Sequence, residues 1–586
     1  MPPVSLRTHR LALLLAVPIS VTTAIHREAD ASGIDEDDRV VDPDAIAGTG
    51  DGQSWANAFT DLQSALAAAD GVAVTQIWVA DGVYVPGSAT ASFEIPNGVV
   101  VFGGFQGLSG PGGGETDANE RDPKSFLTVL SGDNNQDDGG PGSFGDNSVH
   151  VVVFDTTTDD VTRLGGFTIE GGRADGSGVD ANGGGVLVLG DSQPRITNCV
   201  IRGNVADGQG GGIAIQGTGD LIRARPFISN CRITDNQAAS GGGVYAIDSD
   251  AQIVNTLIDS NTATSGDGGG VWIESAFDPF GGFRRSLVEL IGCTIASNSA
   301  GSGTGGGVAN DPDNDTSAVG TLGEVESVMI KNCVLWGNTS SSASLQLDQF
   351  DDGQGGVPTT DRLNLVVRYS SIQGLASGGI YDSGRNVFNT DVDPEFVADF
   401  RLDPVDSLLI DQGTRFGVPV PPVDVLDIDR DDDVFELTPD LDESPRLRNA
   451  ALDLGSYETI ADCNDNGVAD LEDIGLDPDL DSNDNGAIDG CEDCNRNGVR
   501  DEDDISSGPS VDLDSNGIPD ECDPDCNRNG VADGVDILNA TSEDCNGNGI
   551  PDECDLQQTS IVAFLIDGSN SLNLREFEIQ KRAIID

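Results

Sequence analysis

Between Asp462 and Asp555, oxygen-bearing side chains recur at a spacing that could wrap a metal ion. Six twelve-residue loops share one template: an acid at position 1, Asn or Asp at 3, Asn at 5, Gly at 6, Asp at 9, and Asp or Glu at 12. The first three place these side chains at Asp462, Asn464, Asn466, Asp470 and Asp473; at Asp481, Asn483, Asn485, Asp489 and Glu492; and at Asp493, Asn495, Asn497, Asp501 and Asp504. The next three use Asp512, Asp514, Asn516, Asp520 and Asp523; Asp525, Asn527, Asn529, Asp533 and Asp536; and Asp544, Asn546, Asn548, Asp552 and Asp555. Calcium takes roughly six to eight hard oxygen ligands at about 2.3–2.6 Å, and the glycine permits the sharp turn between them. The expected cofactor is therefore calcium. The loops beginning at Asp481 and Asp493 abut, which leaves no room there for the paired helices of an EF-hand. Without the ion, carboxylates this crowded repel, so the module is expected to expand when calcium is removed.

Seven of the 11 cysteines fall in this region. Cys463 and Cys491, Cys494 and Cys522, and Cys526 and Cys554 are equally spaced, and a bridge over such a loop is worth roughly 3–4 kcal/mol. Cys491 with Cys494 is the competing pair, and Cys545 is left over.

Other candidates for chemistry are sparse. Beyond the first thirty residues the one histidine is His150. Acids pair at Asp137–Asp138 and Asp159–Asp160, and Arg223, Arg225, Arg284 and Arg285 lie in or near the central repeats. Acid–base catalysis needs two groups on opposite sides of a bound bond, and nothing in the spacing brings these together. A binding or structural protein is the leading expectation. The alternative is a polysaccharide lyase or glycoside hydrolase.

The elements that would position any such site show as a repeat. Asn198–Asn204, Asn230–Asn236, Asn255–Asn261, Gly292–Asn298 and Asn332–Asn338 share one pattern, with Cys (or Thr) second, Ile or Leu fourth and Asn last. Triple glycines followed by an aliphatic residue punctuate them at Gly183, Gly210, Gly241, Gly268 and Gly305. By the period of two in a strand, the cysteine and the aliphatic residue two places on point inward. One short strand cannot bury that face alone, so the units must stack into a parallel β-helix. The closing asparagines are expected at left-handed corners with their side chains in a hydrogen-bonded ladder, and the glycines at tight turns. No phosphate-binding loop fits these glycines, since none opens a helix or carries the required lysine. Uneven spacing predicts loops bulging from one side, at Phe277–Arg285 and Asp311–Gly320. Trp336 should face outward, where it could stack on a sugar.

At the N-terminal end, Phe59, Leu62 and Leu66 share one face of a predicted helix that would cap the sheet stack before the strand Gln76–Ala80. Asp393–Phe396, Leu408–Gly413 and Asp453–Glu458 are expected to form the last coils. Arg7, His9 and Arg10 ahead of the apolar run Leu11–Val21 read as a secretory signal ending near residue 24. The expected location is thus secreted or at the cell surface, with no membrane span. A formal net charge of −70 excludes nucleic acid as a partner and leaves extracellular polysaccharide or another surface protein.

The segments Gln53–Phe59, Ala80–Tyr84, Val101–Phe105, Glu120–Asp122, Leu130–Asp133 and Asp453–Glu458 resemble secreted right-handed β-helix proteins of planctomycete-type bacteria. The central units are also similar to the repeats of chlamydial polymorphic outer-membrane proteins. The resemblance implies an all-β, pectin-lyase-like right-handed solenoid over residues 40–460 and no particular activity. The module at 461–555 resembles thrombospondin type 3 repeats in its abutting loops and dockerins in its Asp-Cys-Asn-x-Asn-Gly motifs. It departs from a dockerin in having three short pairs of loops. The tail at 556–586 has no assigned role.

Overall fold

The computed structural model describes residues 34–459, apart from short stretches and residues 312–327, 350–364, 375–388 and 414–438, together with a few residues between 505 and 542. The N-terminal apolar run, the tail and nearly all of the calcium loops lie outside the described residues.

Each coil of the central repeats visits four parallel sheets in turn, numbered here in that order. Sheet 1 has ten strands, sheet 2 nine, sheet 3 six and sheet 4 eight, and each hydrogen-bonds to its counterparts in the coils before and after. In one coil these are Arg195–Thr197, Val200–Arg202, Val205–Ala206 and Ile213–Gln216. Registers are unbroken through the repeats, aligning Ile201, Ile233, Ile258, Ile295 and Leu335 in sheet 2 and Val186, Ile213, Val244, Val271 and Val308 in sheet 4. All of these side chains are fully buried, as the period-two reading requires. Each is worth about 1.5–3 kcal/mol in apolar burial.

The corner between sheets 1 and 2 explains the cysteines. Cys231 Sγ donates to Ser229 O (3.3 Å) and Ile196 O (3.6 Å), and Cys199, Cys293 and Cys333 repeat the pattern. Thr256 and Ser370 do the same with hydroxyls. What this corner selects is a small side chain with one donor for a buried carbonyl.

The asparagine ladder forms as expected. Nδ2 of Asn204 donates to Asn236 Oδ1 (3.1 Å), Asn236 to Asn261 (3.0 Å), Asn261 to Asn298 (3.0 Å) and Asn298 to Asn338 (2.9 Å). The backbone expectation was misplaced by one residue. The left-handed conformations belong to the opening residues Asn198, Asn230, Asn255 and Asn332, and to Gly203, Asp235, Ser260, Ser297 and Gly337, each just before a closing asparagine. The closing asparagine must direct both its N–H and its carboxamide along the stack, and the residue before it takes the corner.

In the triple glycines, the first residue is left-handed, as at Gly210 (φ 68°) and Gly241 (φ 61°). The other two are needed for space. A Cβ on Gly211 would stand 2.4 Å from Gln237 O, and one on Gly212 would stand 2.7 Å from Gly243 O and 3.0 Å from Asn236 Nδ2.

The helix Leu62–Ala69 caps the N-terminal end, packing Leu62, Ala65, Leu66 and Ala69 into the main core with Phe59 partly buried beside them. The C-terminal expectation is corrected. Thr390 adds one more bridge to sheet 2, but the chain that follows returns along the outside instead of adding coils. Leu402, Leu409 and Leu454 pack on the outward face of Val334, with Trp336 partly covered beside them. Asn255 Nδ2 donates to Pro439 O (2.6 Å), Ser456 N to Thr294 Oγ1 (3.0 Å) and Lys124 Nζ to Asp442 O (3.0 Å). This strap covers the outer row of sheet 2, where its Asp399 pairs with Arg232 (3.3 Å), and supplies carbonyls to the carboxamides of the opening residues Asn230 and Asn255, which left-handed corners turn outward.

Candidate functional site

Sequence periodicity places alternate residues of sheet 4 outside, and five coils align them into a strip. Val153, Leu187, Ala214, Tyr245 and Trp272 stand in one row and Leu189, Gln216, Ile247 and Glu274 in the next. The apolar members pack together as a cluster separate from the core. Tyr245 and Trp272 lie tilted at 34° with ring centroids 5.1 Å apart. The Tyr245 hydroxyl donates to Glu274 Oε2 (2.8 Å). Burial first, then the Glu274 carboxylate, raises the Tyr245 phenol far above its usual range, so it is a permanent donor. Trp272 Nε1 and Gln216 Nε2 are shielded from water and have no acceptor. The residues after each triple glycine carry this strip. Their outward positions follow from the same alternation as the core, but the aromatic at Trp272 draws attention only once its register with Tyr245 is known.

The other candidates are dispersed. Arg223 pairs with Asp250 (2.5 Å) and Arg225 with Asp191 (2.8 Å) at the turn from sheet 4 to sheet 1. Arg195 pairs with Asp160 (3.7 Å), while Asp159 accepts from Val161 and Thr162 in a turn. Arg284 and Arg285 lie outside the described residues. His150 is buried, with Nδ1 2.9 Å from Gly183 O and Nε2 3.9 Å from Asp180; burial lowers its pKa despite that acid. Lys331 is pushed down to about 8, by burial and then by Arg368. That value suits a general base, yet Lys331 is 0% exposed and no polymer reaches it.

Asp137 and Asp138 are brought together with Asp133, their carboxylate oxygens within 4.8 Å of one another. Burial raises the Asp138 carboxyl above its usual range, against the hydrogen bond from Asn147. Of the thirty loop residues expected to bind calcium, the structure describes the backbone of Asp533 and the whole of Asp536. These lie in the short helix Asp533–Leu538, where Asp536 is buried and its Oδ1 accepts from Thr541 Oγ1 (2.6 Å). The remaining twenty-eight, and the seven cysteines around them, are outside the described residues. No helix among the described residues is long and apolar enough to cross a membrane.

The family model for a right-handed β-helix region matches residues 165–305 and 211–392. The chain is therefore all-β, with a right-handed parallel β-helix. Among solved structures it is similar to a pectin methylesterase from Aspergillus niger, at 13% identity and a TM-score of 0.24, over 62% of this chain and 92% of that one. It is also similar to the pectate lyase Pel9A, at 13% identity and a TM-score of 0.26, over 72% of this chain and 96% of that one. No curated protein matches the chain.

Proposed function

We propose that this chain is a secreted, calcium-binding scaffold that holds a neutral polysaccharide along the outer face of sheet 4. The observation that carries the reading is the strip ending in Tyr245 and Trp272. Apolar sugar faces pack on aromatic rings, and Trp272 is the partly exposed aromatic of this strip, held against Tyr245. A net charge of −70 repels polyanions and favours an uncharged chain. The arginines along the coils support binding over bond cleavage: Arg173, Arg195, Arg202, Arg223, Arg225 and Arg232 each stand in an ion pair with an acid. The signal-like N-terminus supports export, and the six acidic loops support a calcium-dependent C-terminal module.

Calorimetric titration of the full protein with soluble glucan, mannan and xylan, with pectate as the acidic control, tests this. One neutral polymer should bind, and Trp272→Ala should weaken it about tenfold, the loss of one aromatic contact worth about 1.4 kcal/mol. Equal affinity in Trp272→Ala would refute the assignment of the strip. Release of unsaturated product from pectate would instead make the chain a lyase.

A further inference from the structure

We propose that the loop Asp133–Asn147 holds one calcium ion against the side of the β-helix, through carboxylate oxygens of Asp133, Asp137 and Asp138 and the carboxamide oxygen of Asn147. This site is separate from the C-terminal loops and does not depend on the polysaccharide reading.

The loop follows the sheet 2 strand Thr128–Ser131, at a level where later coils turn through sheet 3. Its base is fixed. Asn134 Nδ2 donates to Asp146 O (2.7 Å) and Gly132 O (3.1 Å), and its Oδ1 accepts from Gly87 N (2.7 Å). Asp133 folds the chain over itself by accepting from Asp137 N and Asp138 N (3.2 Å each), which gathers the three carboxylates. Among the described residues none of the three is ion-paired with a lysine or arginine.

Asn147 supplies the second observation. It is 4% exposed and directs its carboxamide at Asp138, with Nδ2 2.8 Å from Asp138 Oδ2 and 2.7 Å from Gly171 O. Turning the amide over would set oxygen against both acceptors, so its orientation is determined. Its Oδ1 is left sealed from solvent with no donor, and Asp138 Oδ1 is in the same state. Two buried oxygens without donors, on side chains hydrogen-bonded to each other and beside two further carboxylates, are what a bound cation satisfies. The all-oxygen set with three acids selects a hard divalent ion. One oxygen from each acid lies within 4.8 Å of the others, close enough for the three to share a calcium ion with ligand oxygens at about 2.3–2.6 Å.

The C-terminal loops would also take up calcium, so the test needs a local readout. Hydrogen exchange of the full chain, with and without millimolar calcium, should show the peptide spanning Asp133–Asn147 protected about tenfold by the ion. Asp138→Asn should abolish that protection and lower by one the calcium ions retained per chain in equilibrium dialysis. If Asp138→Asn does not fold, Asp137→Asn, at an exposed position, should reduce the protection in an intact β-helix. Exchange unchanged by calcium in the wild-type loop, equal protection by magnesium, or an undiminished ion count in a folded variant would each overturn the proposal.

Discussion

Removing one rung of the asparagine ladder should cost more than its small size suggests. Asn236 is 1% exposed. Its Oδ1 accepts from Asn204 N (3.0 Å) and Asn204 Nδ2 (3.1 Å), and its Nδ2 donates to Ile201 O (2.8 Å) and Asn261 Oδ1 (3.0 Å). In Asn236→Ala two of these partners keep another bond: Asn204 Nδ2 still donates to Ile169 O, and Asn261 Oδ1 still accepts the backbone N–H of residue 236. The Asn204 N–H and Ile201 O lose their bonds to Asn236. At about 1–3 kcal/mol for each buried group, the expected loss is about 4 kcal/mol. Asn236→Asp keeps the shape and the acceptor but sets a carboxylate against two oxygens, so at neutral pH it should cost more than alanine. Its folded-state pKa is then raised above the ordinary aspartate value near 4. The variant binds an extra proton when folded, so its stability is greatest at low pH and is lost as pH rises through that window. Urea unfolding followed by circular dichroism at pH 5 and pH 8, at fixed calcium, reads both effects. A loss under about 1 kcal/mol for Asn236→Ala, or no pH dependence in Asn236→Asp, would refute the ladder as a source of stability.

Two further substitutions or shifts follow from the same geometry. Gly211→Ala should prevent close stacking of adjacent coils and cost at least about 3 kcal/mol, whereas Gly145→Ala, with open space around its Cβ, should change stability by under about 1 kcal/mol; thermal unfolding separates the two. Burial, against the pull of Arg446 3.7 Å away, raises Glu458 in the strap from 4.5 to about 8. The docked strap therefore holds an extra proton between those values, and docking should weaken as pH rises from about 5 to 8; proteolysis of the strap at the two pH values checks this, and Glu458→Gln should remove the dependence.

Legibility differed between the coils and what lies on them. The solenoid was readable because every coil repeats one set of constraints: Ile201 recurs as Ile233, Ile258, Ile295 and Leu335, and Asn204 as Asn236, Asn261, Asn298 and Asn338. A ladder repeats its signal in each rung. The strap was misread because nothing local to Asp453–Glu458 distinguishes a segment that extends a sheet from one that lies across it. Its place is decided by partners far away, with Asn230 and Asp440 separated by 210 positions. The acid loop was noticed only as the pair Asp137–Asp138. Its third acid and Asn147 join through a fold in the chain that spacing does not display.

The distribution of chain length also bears on what sheet 4 does. In the repeat coils the step from sheet 1 to sheet 2 is constant, as in Ile196 to Ile201, Ile253 to Ile258 and Ile330 to Leu335, whereas one coil earlier a long insertion separates Phe105 from Thr128. From sheet 4 back to sheet 1 it is short at Val244 to Ile253 and long at Val271 to Leu290 and Val308 to Ile330. In the repeat coils length therefore varies mostly along one edge, the edge that adjoins Gln216, Ile247 and Glu274. The opposite outer face is tied down by the strap, and the corner between sheets 1 and 2 is sealed by its cysteine, threonine and serine donors. The apolar row of sheet 4 is thus bordered, in the repeat coils, by a turn where insertions enter without breaking a ladder. Loops can change there at little cost to the core, while the ladder from Asn204 to Asn338 keeps the stack in register.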